Sequence, residues 1–256
     1  MSCKFIKIFC LLLITIILNL SLQAQAGKSA GGEKTGFIFG YKVKEGMNKL
    51  FEDGYKRHLN WHKDKNDKLV WYGWDVATGN RTGFFIDGSF GSPLKSFDER
   101  VDIAGDVADF EITTAPFVNA LFRNILICKE NLSTAIPLEE QKLSKLIQVI
   151  TYNLNNGKHD IFENIFKEII KKVDNQKAKF TLYVTIDGSE SPQYVLMIPR
   201  NGYADYNLNY SIEKIIAENF DESKSSTLLK SISECVKNSY SETWAYRANL
   251  SYFPEN

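Results

Sequence analysis

Apolar residues along this chain fall into short runs and stripes whose order repeats. Positions 38–43 and 147–154 are strand-like apolar runs, each followed by a glycine turn. Positions 48–62 and 160–173 place apolar residues at helical spacing. Second strands are predicted over 69–76 and 180–186, and third strands over 84–87 and 194–198. A mostly helical stretch follows in each half, 104–120 and then 211–239, and a fourth strand closes each at 122–129 and 243–250. The pattern therefore reads β-α-β-β-α-β twice, the order of a ferredoxin-like split unit.

The two halves also match residue by residue. "YKVKEGMNKLFEDGYK" (41–56) aligns with "YNLNNGKHDIFENIFK" (152–167) at an offset of 111, pairing Tyr41 with Tyr152, Gly46 with Gly157 and Phe51 with Phe162. The same offset, without a gap, pairs Gly91 with Gly202, and after seven added residues "ENLS" at 130–133 meets "ANLS" at 248–251. A duplication explains this better than chance. Over about 36–254 the chain resembles the dimeric α+β barrel superfamily, fused as a tandem pseudo-dimer, whose relatives include antibiotic-biosynthesis-monooxygenase-like and NIPSNAP-like proteins. That resemblance implies an α+β fold: two ferredoxin-like repeats, 36–133 and 145–256 with a linker at 134–144, packed sheet to sheet as an intrachain barrel. It rests on element order and patterning. The superfamily spans oxygenases, haem-handling enzymes, isomerases and members without known chemistry, so the fold alone does not set a function.

The second copy serves as an internal control for the first. Helix 160–173 carries Phe162, Ile165, Phe166, Ile169 and Val173 on one stripe, a plain packing face. The first copy has Phe51, Gly54, Tyr55, His58 and His62 in those places. At 100° per residue both histidines turn inward with Phe51 and Tyr55. At the constant offset, Asp75 and Asp87 replace Ile186 and Ile198, and Gly73 replaces Val184. Buried imidazoles and carboxylates without partners would each cost on the order of 1–3 kcal/mol. A pocket between helix and sheet of the first repeat is therefore expected, with Gly54 and Gly73 making room for a ligand.

Three chemistries fit such a pocket. His58, His62 and Asp75, with Asp87, would suit a divalent transition metal such as Zn, Mn or non-haem Fe with an open position. A His–Asp pair drawn from His58, His62 and Asp75 would suit metal-free general acid/base catalysis. One histidine would ligate haem in a pocket walled by Tyr55, Trp61 and Trp71. The rival reading is a structural His–Asp network that only fixes packing. The expectation is a small-ligand-binding protein or a metal- or cofactor-assisted enzyme, oxygenase-like at the furthest. The other class is a non-catalytic exported binding or interaction protein.

Composition changes this picture in a few respects. Lys4 and Lys7, an apolar run over 8–22 and Ala24-Gln25-Ala26 read as a secretory signal ending at Ala26, followed by a flexible lead-in at 27–35. Cleavage would leave 230 residues with 29 basic and 31 acidic side chains, which is no nucleic-acid footprint. The expected product is periplasmic or secreted, without a stable membrane anchor. Only Cys128 and Cys235 would remain, as two thiols or one bridge. His159 reads as a solvated helix end. The acidic run 97–111 reads as a solvated loop or helix start, and it lacks EF-hand spacing.

Overall fold

The computed structural model describes residues 32–174, 178–207 and 212–255, so the expected signal at 1–26 lies outside the described residues. In the unit that begins at Lys34, the first half comprises β1 (Thr35–Val43), α1 (Asn48–Asp64), β2 (Tyr72–Thr78), β3 (Phe84–Ser92), α2 (Ile103–Thr113) and β4 (Val118–Cys128). The second comprises β5 (Leu146–Leu154), α3 (His159–Ile170), β6 (Thr181–Asp187), β7 (Gln193–Arg200), α4 (Ile212–Asn219), α5 (Glu222–Cys235) and β8 (Val236–Tyr246). A single turn at Lys95–Asp98 precedes α2.

All strands pair antiparallel in one closed barrel, β1-β3-β2-β8-β5-β7-β6-β4, with β4 returning to β1. Each half supplies four neighbouring strands, and the halves meet where β2 pairs β8 and β4 pairs β6. Closure leaves no strand edge unpaired. Tyr72, Trp74, Ile86, Phe90, Leu126, Val149 and Trp244 fill the interior, and Trp74 touches Trp244 across the β2–β8 seam with ring centroids 5.6 Å apart. The outer faces of the two halves carry separate cores under their own helices.

The repeat is visible in backbone detail. Gly46 and Gly157 both adopt positive φ, 74° and 72°, in the turn that leads into the helix. An L side chain resists that conformation, which accounts for glycine at both positions. The constant offset, however, ends at the helices. Phe39 stands opposite Asp87, whereas Ile150, its counterpart, stands opposite Leu196. Gly73 is opposite Asp87, and Leu182 is opposite Leu196. Over the second and third strands the spacing is thus 109, with two fewer residues between helix and strand in the second half. The partners of Gly73, Asp75 and Asp87 are Leu182, Val184 and Leu196 rather than Val184, Ile186 and Ile198. A shift of two preserves the face of every strand residue, which is why patterning did not reveal it.

The fourth strands begin at Val118 and Val236, earlier than their apolar patterns suggested. Pro116 lies in the turn Ala115–Phe117 that follows α2. A proline cannot continue a helical hydrogen-bond ladder, so the helical stretch stops short of 120. The "NLS" repeats form matching turns, Glu130–Leu132 and Ala248–Leu250, each burying its leucine. Cys128 and Cys235 are buried free thiols.

Candidate functional site

Helix α1 lies over the outer face of the first four strands and buries Phe51, Gly54, Tyr55, His58, Leu59 and His62. Both histidines point inward near its C-terminal end. Helix α2, capped by the Asp102 carboxylate accepting from Gly105 N, runs beside it. Asp106, Asp109, Phe110 and Thr113 share one face of α2 by helical spacing. Between these helices and the sheet lies a cavity of about 240 Å³, walled by Phe37, Phe39, Tyr41, Trp71 and Phe110 among others.

The imidazoles are held from behind. His58 Nδ1 is 2.8 Å from Asp109 Oδ2, and His62 Nδ1 is 2.8 Å from Asp67 Oδ2. Carboxylates accept, so the network assigns a proton to each Nδ1, and in the neutral imidazole this leaves Nε2 with the lone pair. Both Nε2 atoms face Asp106 Oδ1, at 3.4 and 3.5 Å. These three ligand atoms lie within 4.8 Å of one another. Asp106 Oδ2 is turned away toward Arg100, 3.4 Å distant.

Asp67 is the best-anchored group here. Its carboxylate also accepts from Trp71 Nε1 at 2.9 Å and from Leu69 N at 3.0 Å, and the Tyr252 hydroxyl donates to its carbonyl. Burial pushes this carboxyl up, but the His62, Leu69 and Trp71 hydrogen bonds outweigh it and hold the group below the usual range. Burial pushes the His58 imidazole down, against the Asp109 hydrogen bond. Deeper in the cavity, Asp87 accepts from the Tyr55 hydroxyl at 2.9 Å, while its Oδ1 meets no partner at hydrogen-bonding geometry. Burial raises the Asp87 carboxyl to about 7, with the Tyr55 hydrogen bond opposing.

The expected ligand set needs correction at Asp75. Trp71, Gly73 and Asp75 share the helix-side face, but Asp75 lies about 13 Å along the strand from Trp71. It is paired there with Arg247, which also reaches Glu52 at 2.7 Å, near the start of α1. The imidazoles sit at the other end of that helix, so Asp75 belongs to a separate ion-pair group. Asp87 lines the cavity but stands outside the trio of converging ligand atoms.

The two glycines do not open space for a ligand. A Cβ on Gly54 would collide with the Thr113 carbonyl, and one on Gly73 with the Leu250 carbonyl. They admit helix α2 and the C-terminal turn. Tyr55 and Trp71 line the cavity, whereas Trp61 stacks on His58 from outside it, beneath Lys65. His159, expected as a solvated helix end, opens α3 half-exposed, with its Nδ1 3.2 Å from the Tyr194 hydroxyl.

The sequence reading missed Asp67, Asp106 and Asp109. Asp106 and Asp109 lie in the acidic run read as a solvated loop or helix start. Their i,i+3 spacing was the available signal, since it sets two carboxylates on one helix face.

No protein-family model matches the chain, and no curated protein matches it. Among solved structures, a proposed monooxygenase from Fusobacterium nucleatum matches with a TM-score of 0.55 at 9% identity, covering 87% of this chain and 98% of the other. A proposed monooxygenase from Lactobacillus acidophilus matches at 0.52 and 8% identity, covering 87% and 97%. A single-site mutant of chlorite dismutase from Candidatus Nitrospira defluvii matches at 0.50 and 8% identity, covering 83% and 91%. The fold is a dimeric α+β barrel. The fold expected from element order is thereby borne out, with both barrel halves in one chain.

Proposed function

We propose that this dimeric α+β barrel binds a divalent transition-metal ion through His58 Nε2, His62 Nε2 and Asp106 Oδ1, and holds a small ligand beside it. The observation behind this reading is the convergence of three acceptor atoms. When the imidazoles are neutral with Nδ1 protonated, neither has a hydrogen to offer Asp106, and acceptors face acceptors. A cation resolves that conflict. Ligand atoms sharing one tetrahedral ion at the usual 2.0–2.1 Å stand about 3.3–3.5 Å apart, close to the 3.4 and 3.5 Å between each Nε2 and Asp106 Oδ1. Asp67 and Asp109 supply the carboxylates that characteristically orient metal-bound histidines.

Two imidazoles and one carboxylate form the donor set of open zinc and non-haem iron sites. The bound ion would act as a Lewis acid or redox centre toward a ligand in the adjoining cavity. Phe37, Phe39, Tyr41, Trp71 and Phe110 keep water from that ligand, and Asp87 offers a buried carboxyl for a proton or hydrogen bond. A haem does not fit: each Nε2 lies against Asp106, which leaves no room for a porphyrin face on either imidazole.

Metal analysis and titration with Zn²⁺, Mn²⁺, Fe²⁺ and Co²⁺ test the reading. One ion per chain is expected, with uptake lost in His62→Ala and Asp106→Asn variants that keep their circular dichroism. If no ion binds stoichiometrically and Asp106→Asn only lowers stability, the group is a structural His–Asp network and the proposal fails. Export belongs to the same reading, motivated by the signal-like segment 1–26. The protein recovered from the cell envelope or medium should then begin at Gly27, as N-terminal sequencing would show.

A further inference from the structure

Three cavity residues form a row across the sheet. Asp87 on β3 and Arg123 on β4 both stand directly opposite Phe39 on β1. Residues two strands apart in such a row have backbones separated by about 10 Å. All three residues line the cavity. Asp87 is buried at one end; its Oδ1 meets no donor at hydrogen-bonding geometry, although the Tyr41 hydroxyl lies near enough to the carboxylate to act on it. Arg123 is exposed at the other, its guanidinium 5.3 Å from the Phe39 ring centroid, and it forms no ion pair among the described residues. The row thus runs from a buried acceptor, over an aromatic surface, to a rim cation.

The second half shows what the same row holds when only packing is required. Ile150 stands opposite Leu196 and Ser241, an apolar pair and a small hydroxyl. Neither the acid nor the cation is therefore needed to seat a helix on this sheet. A buried carboxylate oxygen that Tyr41 does not meet at hydrogen-bonding geometry is costly, which points to a donor arriving with a ligand.

We propose that the cavity takes a small aromatic acid bearing a hydroxyl or amine at the end of the ring opposite its carboxylate. The donor meets Asp87 Oδ1, the ring lies against the aromatic wall of Phe39, Tyr41 and Phe110, and the carboxylate meets Arg123. This rests on reading the cavity as a ligand site, but it stands without the metal. The guanidinium offers paired donors that match a carboxylate, and its exposure places the ligand's charge at the rim rather than in the apolar interior.

The test is calorimetric titration of the mature full-length protein with 4-hydroxybenzoate, benzoate and phenol, above about pH 7, where the Asp87 carboxyl is ionised. 4-Hydroxybenzoate should bind about ten-fold tighter than either simpler probe. Asp87→Leu, which installs the residue found in the second half, should abolish the preference over benzoate. Arg123→Gln, at an exposed position, should abolish the preference over phenol. Equal affinities, an unchanged preference in either variant, or no binding of any probe would overturn the proposal. Zn²⁺ titration of the same samples separates the two readings. Metal uptake without probe binding defeats only the ligand assignment, and probe binding without metal uptake defeats only the metal centre.

Discussion

His58 and Ile169 occupy the same place on two copies of one helix, and both are buried. The difference lies in what each meets. Ile169 meets an apolar core, whereas His58 meets Asp106 and Asp109. Asp109→Asn should preserve shape while weakening the hold on Nδ1, and metal affinity should fall by roughly 10–100-fold, measured by competition with a chelator. Asp67→Ala would strand the His62, Trp71 and Leu69 donors in the interior. Losing that acceptor should cost about 3 kcal/mol in urea unfolding. Asp87 makes stability depend on pH. Its folded value of about 7 exceeds the ordinary 3.8, so the native state binds the extra proton. Its contribution is then fully present below about pH 4 and lost as pH rises through about 7. Asp87→Leu should remove that slope, so the variant's advantage over the natural protein in urea midpoint should grow across this window.

Among the elements, α2 decides whether a site exists. It approaches α1 closely because Gly54 has no side chain, and this approach brings Asp106 and Asp109 to the imidazoles. Gly54→Ala should force the helices apart. Overpacking of this kind typically costs about 1–3 kcal/mol, and the loss of metal affinity should accompany the drop in melting temperature. In the second half Ile165 fills the corresponding position and is buried under its own helices. The histidine pair could be singled out from sequence because it breaks a stripe that its copy preserves. The α2 carboxylates offered only their i,i+3 spacing, because an acidic helix facing histidines has the same composition as one facing water.

On the scale of the whole molecule, each half depends on the other for strand pairing. β2 and β4 would be bare edges without β8 and β6. Residues 34–133 expressed alone should therefore not remain monomeric, and should pair with themselves or aggregate in sedimentation velocity. The duplication also frees one half to keep an apolar core while the other carries polar groups. The cost of burying imidazoles and carboxylates is then borne by a barrel whose interior and second outer core remain apolar.

The sequence by itself determined the order of elements, the duplication and the inward direction of His58 and His62. Those follow from periodicity, and periodicity is a local property of the chain. Only the tertiary structure decided which carboxylates meet the imidazoles. Asp75 shares a face with Trp71, yet it lies too far along the strand and pairs with Arg247, 172 residues away in sequence. Asp106 and Asp109 arrive from a helix whose approach is set by a glycine contact. Asp67 arrives from the connection after α1. Periodicity specifies which face a residue takes but not its position along that face, and the chemistry of this cavity depends on both.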